Sequence, residues 1–242
     1  MMATRFHCTE VEAYLKEQIA RRSSLPTRWL DPNNATGLAE DGLTIRHTSD
    51  ERICISSDNP LPGAVDKYYF EITFPKEEGV EQDANPIVAI GFCTLGAAGL
   101  RFPGWPPLPR APSTQSWAYH GDDGGLFSGD GGHHGVVEFP YGPGDTVGCG
   151  VDLATCTMWF TKDGEKLERM FEGVRGRLFP VSGLKDAVLI ETNFGTDPLK
   201  NMKWKDGWQT EQAAEEVSAT AEAEAEPQAV AGSEVAPAVE SE

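Results

Sequence analysis

Tyr68-Tyr69-Phe70-Glu71-Ile72-Thr73-Phe74 is the stretch on which the fold turns. In an extended chain successive side chains point to opposite sides, so Tyr68, Phe70, Ile72 and Phe74 share one face while Glu71 and Thr73 take the other. One apolar face and one polar face is the signature of a strand whose sheet packs on a core from one side. The same period of two recurs to either side: Leu43 and Ile45, Ile53 and Ile55, then Val88, Ile90 and Phe92. Further on come Val147, Cys149 and Val151, then Cys156, Met158 and Phe160, and finally Val188, Ile190 and Phe194. Each run is short and bounded by Gly, Pro, Asp or Asn, as strands in a meander or sandwich are. Asp163-Gly164 between Phe160 and Leu167 marks a two-residue hairpin, because both residue types tolerate positive φ. No helical stretch long enough for a parallel crossover lies between Gly42 and Phe194, so the sheets are expected to be antiparallel.

Outside that region the pattern changes. Thr9 to Arg22 carries Val11, Leu15 and Ile19 four apart with Tyr14 beside them, which predicts a short helix with one apolar stripe, and Thr9 with Glu12 resembles a capping box. Arg101 to Thr114 holds five prolines and Trp105, a stiff irregular loop. Gly121 to Gly135 is dominated by Gly, Asp and His and predicts no packed element. Beyond about Gln209 the composition is Ala, Glu, Ser, Val and Pro, with no apolar face to dock, which predicts disorder. The domain organisation expected is therefore residues 1–24 as helix and linker, 25–205 as one β domain, and 206–242 as an acidic tail.

Of 242 residues 39% are hydrophobic, enough for one core, and no apolar run has the length of a membrane span. The formal charge is −18, and nine glutamates follow Trp208 with no basic residue after Lys205. Phosphate backbones and anionic lipid repel such a chain, so nucleic acid and membrane are not expected partners. The start of the chain, Met1 to Cys8, has no apolar run of the secretory kind, and five scattered cysteines without a CxxC pair suggest neither a zinc site nor a disulfide framework. Four of the five fall in stretches that read as strands, which fits a reducing, cytoplasmic setting.

Catalytic constellations are missing from the sequence: it has no Gly-x-Ser-x-Gly elbow, no P-loop, no HExxH and no GxGxxG after a strand. Gly148-Cys149-Gly150 lies inside an alternating strand, where the glycines admit side chains from a neighbouring layer. Asp122-Asp123 is a carboxylate pair, but adjacent residues are expected to point apart. His133-His134 with Asp130 lacks the spacing that puts two imidazoles on one face, and is read as solvated loop. Pro106-Pro107-Leu108-Pro109-Arg110 is read as a rigid surface loop in preference to a polyproline ligand. No cofactor and no metal are expected.

The order of motifs resembles a known family. Leu25-Pro26-Thr27-Arg28-Trp29, Tyr68-Tyr69-Phe70-Glu71-Ile72, Ile90-Gly91-Phe92 and Pro103-Gly104-Trp105 come first. Trp117-Ala118-Tyr119-His120-Gly121-Asp122-Asp123-Gly124 and Tyr141-Gly142-Pro143-Gly144-Asp145-Thr146-Val147-Gly148-Cys149-Gly150 follow. Phe160-Thr161-Lys162-Asp163-Gly164, Leu178-Phe179-Pro180-Val181 and Asn193-Phe194-Gly195 close the series. From about Leu25 to Lys200 the chain resembles the SPRY domain, in the subgroup typified by Ran-binding protein M and its fungal counterparts.

The resemblance implies an all-β, bent two-sheet antiparallel sandwich of the concanavalin A-like kind, without enzymatic activity. It also implies that loops at one end grip a short peptide of a partner protein, and that the partner assembly is in some members a ubiquitin ligase. The matching positions are eight: His47 and Arg52 at the ends of the His47 to Arg52 loop, Arg101, Phe102 and Trp105, Tyr119 at the head of the His120–Gly124 turn, and Leu184-Lys185. The LisH and CTLH modules and Pro-Pro-x-Tyr motifs of ligase-associated members do not occur in this sequence, and the Arg101–Thr114 segment is longer and richer in proline than the family norm. The function expected is a peptide-binding adaptor. The alternative weighed against it is a carbohydrate-binding, lectin-like sandwich, which shares the architecture.

Overall fold

The computed structural model describes residues 24–31, 37–63, 65–136, 139–197 and 199–205. The helix expected over Thr9–Arg22 and the acidic tail lie outside the described residues. Within them thirteen strands run in order: β1 (Trp29–Leu30), β2 (Thr44–His47), β3 (Ile53–Ser57), β4 (Lys67–Thr73), β5 (Val88–Cys93), β6 (Ser116–His120) and β7 (Gly125–Ser128). Then come β8 (Gly132–Val136), β9 (Thr146–Asp152), β10 (Thr157–Lys162), β11 (Glu165–Glu172), β12 (Phe179–Leu184) and β13 (Val188–Asn193). One 3-10 turn, Ala97–Gly99, is the helical element among the described residues, and no helix there is long and apolar enough to cross a membrane.

The strands form two antiparallel sheets. The first has the order β1-β3-β12-β5-β6-β7-β8, the second β11-β10-β9-β4-β13-β2. The apolar face of the opening stretch packs between them: Tyr68, Phe70, Ile72 and Phe74 are all buried. Phe70 meets Phe92 of the facing sheet at 5.6 Å and Phe194 at 5.7 Å, and Trp29 lies edge-on to Phe194 at 4.8 Å. Such offset and edge-on pairs add about 0.5–1.5 kcal/mol each beyond the area they bury. Their polar ends are satisfied: Trp29 Nε1–H donates to Thr192 Oγ1 at 2.7 Å and the Tyr68 hydroxyl to the Phe194 carbonyl at 3.0 Å.

The hairpin at Asp163-Gly164 joins β10 to β11 with φ of 51° and 87°, the positive values that a two-residue turn of this hand needs. The glycines of β9 admit bulky neighbouring side chains, but not from a neighbouring layer as expected. A Cβ at Gly148 would occupy the Tyr69 hydroxyl and one at Gly150 the Trp159 ring, and both neighbours come from flanking strands of the same sheet, not from another layer.

Two expectations need correction. The segment Gly121–Gly135 was expected to hold no packed element, yet it contains β7 and the larger part of β8. Backbone pairing to β6 supplies what side-chain propensity lacks, and Leu126 is inserted, fully buried, into the core. Cys156 was expected in a strand. It sits at φ 58° in the turn between β9 and β10, so three of the four described cysteines, Cys54, Cys93 and Cys149, are strand residues. All four are free thiols, and burial pushes those of Cys54 and Cys93 up to about 12.

Candidate loop-end binding site

The site begins with small residues. On the face of the first sheet that points away from the second, register brings Cys54, Gly183, Ala89 and His120 side by side across β3, β12, β5 and β6. Side chains this small leave a shallow bed, and the loop after the 3-10 turn fills it. Phe102 is fully buried against Ala89 and Ala118, with Cys54, Ile87 and Trp105 around it. A Cβ at Gly183 would strike both the Phe102 ring and Pro103, so β12 needs glycine there.

The loop is fixed by backbone chemistry. Gly104 adopts φ 81° and its N–H donates to Ser116 Oγ at 2.9 Å; the Trp105 N–H donates to the Phe102 carbonyl at 3.0 Å. His120 Nε2–H donates to the Pro103 carbonyl at 2.8 Å. Burial lowers the His120 pKa, against the raising effects of the Pro103 bond and of Asp122 and Asp123, which keeps the ring neutral in this role. Trp105 then stands half-buried on Phe102, ring centroids 5.7 Å apart, with the Arg52 guanidinium 5.0 Å from its own centroid. Arg101 is exposed beside them and makes no hydrogen bond or ion pair among the described residues.

Two neighbouring turns complete the rim. His47, buried at the end of β2, donates from Nε2 to the Glu51 carbonyl at 3.2 Å and so shapes the turn that carries Arg52. The Lys185 N–H donates to the Ile87 carbonyl at 3.0 Å, and its ammonium pairs with Asp186 at 2.9 Å. The structure thus brings Arg52, Phe102 and Trp105 into contact and ties Lys185 to them through Ile87.

Of the eight residues expected to meet ligand, Arg52, Arg101, Trp105 and Lys185 reach the surface. Four do not. Tyr119 pairs with Ile90 and so faces the opposite sheet, where it is 0% exposed against Tyr141 at 4.8 Å and Phe160 at 5.4 Å. Leu184 pairs with Val88 and is buried for the same reason. Phe102 and His47 support the rim from beneath. Sequence reasoning passed over His120, the outward neighbour of Tyr119, and the bed of Ala89, Ala118 and Gly183. The signal was present, since Ala89 and Gly91 alternate with Val88, Ile90 and Phe92, which predicts one crowded face and one that a loop can cover.

Elsewhere, a cavity of about 320 Å³ opens between the edge strands β8 and β11, lined by Trp117, Ser128, Asp130, His134, Met170, Phe171 and Glu172. His134 and Asp130, expected as solvated loop residues, are linked there through Ser128. The Ser128 hydroxyl has one proton and gives it to the Asp130 carboxylate, so His134 Nε2–H must be the donor in its 2.7 Å bond to Ser128 Oγ. A histidine donating to the serine cannot at the same time take its proton, and this arrangement is not a nucleophile–base pair. Asp122 and Asp123, expected to point apart, lie with His120 close enough for one ligand atom from each to fall within 4.8 Å of the others.

The sequence profile of the SPRY domain matches residues 67–197, more than half of the chain. The chain is 30% identical over 190 residues to Ran-binding protein 9 of Xenopus tropicalis, covering 74% of this chain and 32% of that protein. It is 32% identical over 186 residues to the Ran-binding protein M homolog of Arabidopsis thaliana, covering 71% of this chain and 36% of that protein. The chain thus spans about a third of the length of these curated relatives. Among solved structures it is similar to the SPRY domain of human HERC1, with a TM-score of 0.52 at 18% identity, covering 71% of this chain and 99% of that one; this likeness concerns the fold.

Proposed function

The chain belongs to the SPRY-domain family, and on that premise we propose that it is a non-catalytic adaptor whose Arg101–Trp105 loop, with Arg52 and Lys185, grips a short peptide of a partner protein. SPRY domains are protein-interaction modules. The observation that carries the finer reading is the half-exposed Trp105, seated on buried Phe102 and faced by Arg52, on a loop whose backbone is already fixed. A preordered aromatic with cations beside it binds at low ordering cost, and Trp and Arg are the residues that most often carry binding energy at interfaces. The cations at the rim favour a peptide with acidic side chains or free backbone carbonyls. Use of this module to present substrates to a ubiquitin ligase is proposed with it, on the family resemblance.

The test is a pull-down of partners with the wild-type chain, Trp105→Ala and Arg101→Ala, followed by calorimetry on any peptide recovered. Loss of recovery in either variant supports the site, and equal recovery in all three sinks it. Should a glycan array light up while no peptide is recovered, the lectin-like alternative replaces this reading.

A further inference from the structure

We propose that His120, Asp122 and Asp123 form a binding site for a divalent transition-metal ion of the Mn²⁺ and Zn²⁺ class at the loop end of the sandwich. One ring nitrogen of His120 and one carboxylate oxygen of each aspartate lie within 4.8 Å of one another. Ligands that share one metal sit about 3–3.5 Å apart, given metal–ligand distances near 2.0–2.2 Å, so small rotations of two exposed aspartates close the site.

Exposed carboxylates often gather without an ion, and the histidine makes the difference. His120 is 4% exposed, held between the edge of Phe102 at 5.4 Å and the ring of Phe127 at 4.3 Å. Its Nε2–H is committed to the Pro103 carbonyl, which sets the tautomer and leaves the Nδ1 lone pair as the acceptor. That nitrogen has no hydrogen-bond partner among the described residues. A ring whose second nitrogen donates to a backbone carbonyl is the arrangement by which proteins orient a metal-ligating imidazole and raise its basicity. The aspartates are exposed and open to solvent, and Asp123 Oδ1 is steadied by the Gly125 N–H at 2.7 Å. Two hard oxygens with one imidazole suit Mn²⁺, Fe²⁺, Co²⁺ or Zn²⁺ better than Ca²⁺ or Mg²⁺, which favour oxygen alone.

Position gives the site a consequence. Pro103 lies between Phe102 and Trp105, so a cation on one side of the His120 ring polarises the N–H on the other and tightens its bond to the loop. This coupling rests on the peptide-binding reading of that loop, whereas the metal site itself does not.

The experiment is Mn²⁺ titration of the full chain at neutral pH, followed by electron paramagnetic resonance, for wild type and the Asp122→Asn/Asp123→Asn double variant. Both aspartates are exposed, and the amide oxygen introduced by Asp123→Asn still accepts from the Gly125 N–H, so the variant retains its fold. Both proteins carry all nine tail glutamates, so metal held weakly by the tail is common to the two. Expected are one Mn²⁺ site weakened at least about tenfold in the variant, since even outer partners of metal ligands cost 10–100-fold, and a ¹⁴N spin-echo modulation from His120 in the wild type. Equal affinities in the two proteins, or Mn²⁺ bound without nitrogen coupling, overturn the proposal. Neither readout involves a peptide, so the result stands or falls separately from the proposed function.

Discussion

Both sheets of this sandwich cover their outward faces with an aromatic-bearing segment laid over small residues, yet they do so to opposite ends. On the second sheet the segment 199–205 lies across β4, β9 and β10. Glu71, 4% exposed, accepts the N–H groups of Lys203 and Trp204 at 2.9 Å each and the Tyr69 hydroxyl at 2.8 Å. Trp204 rests on Tyr69 at 4.7 Å and Trp159 at 5.7 Å, above Gly148 and Gly150. A buried carboxylate leaves this cover little freedom, because lifting it would strand the charge. On the first sheet the Phe102–Trp105 loop is held by neutral hydrogen bonds and leaves Arg101, Trp105 and Arg52 facing outward. The same device closes one face and leaves aromatic and cationic groups exposed on the other, and a carboxylate beneath the segment is the difference.

Overfilling the two beds tests that contrast most severely. Gly148→Val is expected to destabilise by about 3 kcal/mol or more, because its new methyls meet Tyr69 and Thr161 inside a locked network, whereas Gly183→Val should cost about 1–2 kcal/mol as the loop lifts. Equal shifts in urea unfolding midpoints would remove the distinction. Glu71→Ala should cost about 2–3 kcal/mol, since charge-assisted hydrogen bonds from the Lys203 and Trp204 N–H groups and from the buried Tyr69 hydroxyl are lost. Hydrogen exchange at the Lys203 and Trp204 amides should accelerate while Gly104 and Trp105 stay protected. Trp105→Ala, by contrast, should cost about 1 kcal/mol in stability, while partner recovery falls at least about tenfold, the cost of a central anchor.

The smallest effect is a pH dependence of the open face. Burial holds the His120 pKa below its usual value, so as pH falls below the usual imidazole range the unfolded chain binds a proton that the folded chain resists. Stability therefore falls as pH drops through that window, with Asp122 and Asp123 softening the loss and His133 adding to it. His120→Gln should flatten the dependence. The aspartates with lowered pKa values, Asp41, Asp130, Asp152 and Asp163, lose their contribution at more acid pH, so the window isolates the histidine.

Most of the fold was legible because it is written in a period of two. Tyr68 to Phe74 declared which side faced the core, and Asp163-Gly164 declared its turn, since both signals are local. β7 and β8 escaped because their extended form comes from pairing with β6, a fact about neighbours that Gly-rich composition conceals. The site was half legible. Trp105, Arg101, Arg52 and Lys185 sit in loops that the family resemblance points to, and they do reach the surface. Tyr119 and Leu184 lie on strands that border the candidate site, at the parity that faces the opposite sheet. Their outward neighbours His120 and Gly183 underlie the Phe102–Trp105 loop, and parity at a strand end is settled by pairing partners that the local sequence does not name.

The strand order carries one more consequence, for how the chain is made. β12 pairs with β3 on one side and β5 on the other, and β13 joins β2 to β4. A ribosome that has released residues up to about 170 has therefore issued both borders of two slots whose occupants are still unmade. Until residues 179–193 emerge, β3, β5, β2 and β4 present unpaired backbone, the condition in which strands associate with the wrong partner. Closure must span more than 120 residues of chain, from Ile53 to Leu184, which places this domain among slow, late-committing folders. Any lesion that removes or delays β12 and β13 should lower the yield of folded protein.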